Sequence, residues 1–68
     1  MRLYSFLDNY VADNQLLHIE CIGVGEIYFD GTKDELSVYN ATSEIDILDL
    51  WVHIVEAIDD ILYITIQY

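Results

Sequence analysis

The nineteen residues from Leu50 to Tyr68 leave this chain few architectures. Leu50, Val52, Ile54 and Ile58 share one side of an extended run, and Leu62, Ile64 and Ile66 share one side of a second. Alternation at period two marks a half-buried strand. Asp59-Asp60 stands between the runs as a polar turn, so the pair reads as a hairpin. The pair is neither Asn-Gly nor Asp-Gly, so the turn type stays open.

An earlier pair follows the same pattern. Leu17, Ile19 and Cys21 alternate with His18 and Glu20, and Ile27 and Phe29 alternate with Glu26, Tyr28 and Asp30. Gly23 and Gly25 flank Val24 and predict a tight connection between these strands. Helical spacing appears ahead of them: Leu3, Phe6, Leu7 and Tyr10 lie at i, i+3, i+4, i+7, which predicts an amphipathic helix over Leu3 to Tyr10. In "GTKDEL", Thr32 and Glu35 form a capping box for about one helical turn, with Leu36 pointing inward. Ser43 with Asp46 is expected either to open another helical turn or to lie in a loop with an extended end.

The expected fold is therefore a single α+β domain over residues 1–68, of order αββαββ. An N-terminal helix packs on one face of a four-stranded, largely antiparallel sheet of two hairpins. Leu17, Ile19, Cys21, Ile27, Phe29, Val52, Ile54, Leu62, Ile64 and Ile66 are assigned to the helix side. His18, Glu20, Tyr28, Trp51, His53, Val55, Tyr63, Thr65 and Gln67 are assigned to the other. Amphipathic aromatics are enriched at interfaces. Tyr28, Trp51, His53 and Tyr63 thus stand as an aromatic patch that serves cross-strand pairing, a homodimer or a foreign partner.

Sixty-eight residues bury only about 60% of the surface of the unfolded chain, so such a domain needs help from a rich core or from association. A single cysteine, Cys21, excludes an internal disulfide and a cysteine-based zinc site. Arg2 is followed by too short an apolar stretch before Asp8 for a secretory leader. The uncharged run Ile61 to Tyr68 is far below a membrane span. A cytoplasmic protein with a reduced thiol is expected.

No catalytic signature emerges. His18 and His53 have no third ligand of fixed spacing, so no metal and no cofactor are expected. His18 and Cys21 are three apart on a strand and point to opposite faces, which rules out an easy nucleophile–base pair. The paired carboxylates Asp34-Glu35, Asp59-Asp60 and Asp46 with Asp49 fall in turns or short helical ends open to solvent. Phosphate-binding and nucleophile-elbow motifs are missing. The chain is expected not to be an enzyme.

What remains is charge. Thirteen Asp and Glu face only Arg2 and Lys33, for a formal net charge of -11. Such a surface repels nucleic acid and anionic membranes and attracts basic proteins. Glu26, Asp30, Asp34 and Glu35 form one sequence cluster; Glu44, Asp46 and Asp49 a second; Glu56, Asp59 and Asp60 a third. One reading is solubility for an apolar-rich chain, in a small homodimeric structural or adaptor protein. The other is that carboxylates stand in for phosphates, which DNA presents at one charge per roughly 1.7 Å of axis.

In "FDGTKDEL", "TSEIDILD" and "EAIDD", and in its size, charge and strand–helix order, the chain resembles the small, very acidic proteins of phages and mobile elements. These include anti-CRISPR proteins and other DNA mimics. The resemblance implies an inhibitor, acting in the host cytoplasm, that occupies the nucleic-acid groove of a Cas nuclease or another defence enzyme. It implies no chemistry of the inhibitor's own.

Overall fold

The computed structural model describes residues 1–23 and 25–68; Val24, in the expected tight connection, lies outside them. Helix α1 spans Leu3–Tyr10, strand β1 Leu16–Cys21, β2 Ile27–Thr32, helix α2 Lys33–Thr42, β3 Trp51–Ile58 and β4 Ile61–Gln67. A 3-10 turn at Ile47–Asp49 precedes β3. The fold is α+β, as expected. In the sheet the strand order is β2-β1-β4-β3.

Both hairpins are antiparallel, and they join through a parallel β1–β4 pair that sets Leu17 beside Leu62 and Ile19 beside Ile64. The connection through α2 explains this. It carries the chain from β2 at one edge of the sheet to β3 at the other, and returns it to the end where β2 began. β3 therefore runs with β2, and β4 with β1.

One face of the sheet carries the core. Leu17, Ile19, Phe29, Ile64 and Ile66 pack beneath Leu3 and Leu7 of α1, Leu36 of α2 and Ile47 of the 3-10 turn. Among the described residues no polar or charged side chain is buried, so the core is held together by apolar burial and packing. Cys21 is buried at its margin.

Helix α2 starts at the expected capping box. Thr32 Oγ1 accepts from the Glu35 amide at 3.3 Å, and the Thr32 amide donates to Glu35 Oε1 at 3.0 Å. The helix then runs ten residues instead of about one turn. Only Leu36 in it is buried, while Val38 and Tyr39 are exposed, so its apolar residues lack the spacing that announces a helix. Ser43 closes α2 and does not open a new turn. Asn40 instead bridges the following loop, donating to Asp46 Oδ1 and accepting from the Ile47 amide, each at 3.0 Å.

Two bulges revise the face assignment. In β1–β2, Ile19 pairs with Phe29 but Glu20 pairs with Ile27, which leaves Tyr28 as the extra residue. Tyr28 packs against the core side, and its hydroxyl lies 3.0 Å from that of Tyr68. Ile27 turns to the bare face, 57% exposed. In β3–β4, Val52 pairs with Ile66 but Ile54 pairs with Thr65, and His53 is the extra residue. Val55 thereby joins the core, and Ile54 and Ile58 move to the bare face. A bulge inserts one residue and so inverts the alternation beyond it.

Candidate interaction surface

The face away from the helices is built in cross-strand rows, read from β2 through β1 and β4 to β3. The first row is Thr32, Leu16, Ile61 and Ile58; the second is Asp30, His18, Tyr63 and Glu56. The third is Ile27, Glu20, Thr65 and Ile54. Trp51, paired with Gln67, closes the corner beside β4. Leu16, Ile27, Ile54, Ile58 and Trp51 are all exposed.

His18 sits in the middle of this face. Its Nε2 lies 3.3 Å from Glu20 Oε1, its Nδ1 lies 3.8 Å from Asp30 Oδ1, and its ring centroid lies 5.1 Å from that of Tyr63. His53 is on β3, two strands away and three residues along from Glu56, which is level with His18; at the usual spacing and rise that is roughly 10 Å across and roughly 10 Å along the sheet. The structure does not bring the two histidines together, and no group of three or more metal-ligating side chains occurs among the described residues.

At the Trp51 corner stands Arg2. Its backbone bridges to Trp51, and its guanidinium carbon lies 4.3 Å from the centre of the Trp51 ring. Nη1 donates to the Asp49 carbonyl at 2.6 Å and lies 3.5 Å from the Asp49 carboxylate. The expected aromatic patch thus keeps Trp51 and Tyr63, loses Tyr28 to the other side, and holds His53 only as an exposed bulge residue.

Carboxylates gather at one end of the sheet. There β1 and β4 begin and β2 and β3 end, since Leu16 pairs with both Thr32 and Ile61, and Ile58 with Ile61. This end collects Asp13 before β1, Asp34 and Glu35 after β2, and Asp59 and Asp60 between β3 and β4. Four strand ends at about 4.8 Å spacing span roughly 15 Å, about two Debye lengths at physiological salt. The loops are stitched together: the Asp34 amide donates to the Asp13 carbonyl at 3.0 Å, the Lys33 amide to the Gln15 carbonyl at 3.1 Å, and Gln15 Nε2 to the Asp60 carbonyl at 2.6 Å. These carboxylates therefore stand on fixed backbone.

Lys33 offsets one charge of that end, that of Asp13, and leaves Asp34, Asp59 and Asp60 without an ion-pair partner among the described residues. It lies 3.5 Å from Asp13 while donating to the Val11 carbonyl at 2.9 Å. Glu35 is engaged too: hydrogen bonds from the Thr32 amide and hydroxyl hold its pKa below the usual carboxylate range. The remaining expected contact residues divide. Asp30 and Glu56 lie on the bare face; Glu26 precedes β2 at the opposite end; Glu44, Asp46 and Asp49 lie between α2 and β3. Asp46 and Asp49 are already bonded to Asn40 and Arg2.

Sequence reasoning left Asp13 and Glu20 out of the acidic set, and Leu16, Ile27, Ile54 and Ile58 out of the bare face. For Asp13 the signal is topological, because the residue entering β1 must lie at the end where its hairpin partner leaves. A cleft of about 140 Å³ between the helices, lined by Tyr4, Leu7, Asp8, Lys33, Leu36, Ser37 and Leu48, is smaller than ordinary small-molecule sites. No helix among the described residues is long and apolar enough to cross a membrane. Comparison with known proteins finds no family model, no curated protein and no solved structure that matches this chain.

Proposed function

We propose that this chain is a non-enzymatic inhibitory binding protein whose acidic surface takes the place of nucleic acid in the basic groove of a nucleic-acid-binding enzyme. A CRISPR-Cas effector is the kind of target the sequence resemblance suggests. The observation that carries this reading is the row Asp13, Asp34, Asp59 and Asp60 across one end of the sheet, on loops tied to one another by backbone carbonyls. A decoy needs charges at fixed spacing, because a groove evolved for phosphates selects geometry as well as sign. Arg2 pairs with Asp49 and Lys33 with Asp13 of the row itself, so within the row Asp34, Asp59 and Asp60 are the charges left to face outward.

The test is competition. The protein should displace duplex DNA from a Cas effector or a comparable basic enzyme, with an affinity that falls steeply as salt rises. Asp34→Asn, Asp59→Asn and Asp60→Asn together should weaken displacement at least about tenfold, the size expected from losing a few charge contacts of roughly 0.5 kcal/mol each. Displacement that ignores both salt and these substitutions sinks the reading.

A second reading, an acidic homodimeric structural or adaptor protein, draws on the exposed Leu16, Ile54 and Ile58. Sedimentation equilibrium decides it. A dimer that Trp51→Ala dissociates, with no capture of basic enzymes, supports the adaptor.

A further inference from the structure

We infer that the bare face of the sheet docks an arginine-bearing protein surface in preference to a second copy of this chain. The inference rests on the reading above that the partner is basic, and it names where and how that partner is gripped.

The face alternates exposed apolar side chains with carboxylates. Ile54 and Ile58 on β3 flank Glu56, and Glu20 and Asp30 stand on the other side of Tyr63. Two copies packed face to face would drive Glu20, Asp30 and Glu56 of both into one water-poor layer. The cations available there are Arg2 at the corner, already spent on Asp49, and histidine. Glu20 and Asp30 share the single His18 ring, and Glu56 has no ion-pair partner among the described residues, so desolvating all three carboxylates opposes that arrangement. An apolar surface bearing guanidinium groups satisfies the same layer.

Arg2 shows how an arginine sits on this face. It stacks on Trp51 while its Nη1 reaches the Asp49 carbonyl and carboxylate. One aromatic face beside one carboxylate is the recognition unit. Tyr63 and Glu56, cross-strand partners in β3–β4, set a second aromatic ring beside a carboxylate; His18 packs against that ring with centroids 5.1 Å apart, and no arginine of this chain lies with them. Planar guanidinium both stacks and forks onto carboxylate, whereas the lysine ammonium offers only a hydrated point charge. The bare face therefore discriminates arginine from lysine, while the acidic sheet end reads charge alone.

The experiment titrates the isotopically labelled protein with hexa-arginine and with hexa-lysine at low salt, following backbone amides by NMR. The expected result is shifts centred on Glu56, Tyr63, Glu20 and Asp30, and a preference for arginine of about 2–5-fold per stacked side chain. Tyr63→Leu with Glu56→Gln should abolish the preference and leave hexa-lysine binding nearly unchanged. Should that double variant fail to fold, the location of the shifts in the unsubstituted protein still decides. Shifts confined to Asp13, Asp34, Asp59 and Asp60, with equal affinity for both peptides, overturn the inference and leave the decoy reading standing. No binding of either peptide overturns both. A dimer in the absence of peptide, with Ile54 and Tyr63 shielded, overturns the inference in favour of self-association.

Discussion

Val55 lies directly across from Ile64 in the β3–β4 ladder. Ile64 is fully buried, so Val55 reaches the core, and its neighbour Ile54 is left 47% exposed opposite Thr65. One extra residue, His53, produces this exchange.

The exchange predicts unequal costs for two adjacent apolar positions. Val55→Ala should destabilise by about 1–2 kcal/mol through lost packing. Ile54→Thr should stay within about 0.5 kcal/mol, because a surface strand position tolerates a β-branched polar residue. Urea denaturation of the two variants checks the register; equal costs, or the reverse order, would show that β3 pairs without the bulge.

The β3–β4 turn makes a second prediction. Asp59 and Asp60 both adopt left-handed backbone, with φ of 50° and 66°. Two central residues at positive φ between Ile58 and Ile61 make a type I′ turn, which Asn-Gly satisfies with less strain. Asp59→Asn with Asp60→Gly should raise stability by about 1 kcal/mol. Asp59→Asn with Asp60→Asn removes the same charges but not the strain at the second position. The difference between the two variants in thermal melts isolates the backbone contribution from the electrostatic one. If the acidic sheet end is the decoy, both should also weaken displacement of DNA.

The legible part of this molecule is what local pattern dictates. Leu3, Phe6, Leu7 and Tyr10 bound α1 at Leu3–Tyr10, and Thr32 with Glu35 marked the start of α2, because spacing and capping are written in contiguous residues. The faces of β2 and β3 were legible only up to the bulges. Nothing in "EIYFD" or "WVHIVE" distinguishes an extra residue from a paired one, since Tyr28 and His53 suit either face. The acidic end was hidden for another reason. Asp13, Asp34 and Asp60 are far apart in the chain; the β1–β2 hairpin joins the first two, and only the parallel β1–β4 pairing brings the Asp59-Asp60 turn to the same side. The extent of α2 was also concealed, as Leu36 alone anchors it.

The capping box carries a pH dependence of known sign. Glu35 has its folded-state pKa lowered, first by the Thr32 amide and then by the Thr32 hydroxyl. A lowered pKa contributes stability that is present above the unfolded value and is lost as pH falls through the folded one. Helix α2 should therefore loosen below the ordinary carboxylate range. Glu35→Gln keeps an acceptor for the Thr32 amide but removes the titration, so its acid-limb slope should be shallower than that of the parent. Thr32→Ala should cost about 1 kcal/mol at neutral pH, the usual worth of an N-cap hydroxyl. Hydrogen exchange at the Glu35 and Leu36 amides reads both effects locally; an unchanged slope in Glu35→Gln would show that the titrating group lies elsewhere.

Salt should move folding and binding in opposite directions. The chain holds thirteen carboxylates in a body of 25 × 23 × 20 Å, so many lie within about one Debye length, roughly 8 Å, of another. Their repulsion is a penalty on the folded state. Screening relieves it, and the melting temperature should rise with added sodium chloride. The same screening weakens attraction to a basic groove, so affinity should fall over that range. Asp34→Asn with Asp59→Asn should mimic salt, giving a higher melting temperature and poorer displacement of DNA from the target enzyme. A protein whose acidity served solubility alone would gain stability in this variant without losing affinity for its partner. Measuring both quantities on one preparation, across one salt series, separates a charge pattern that recognises from one that only disperses.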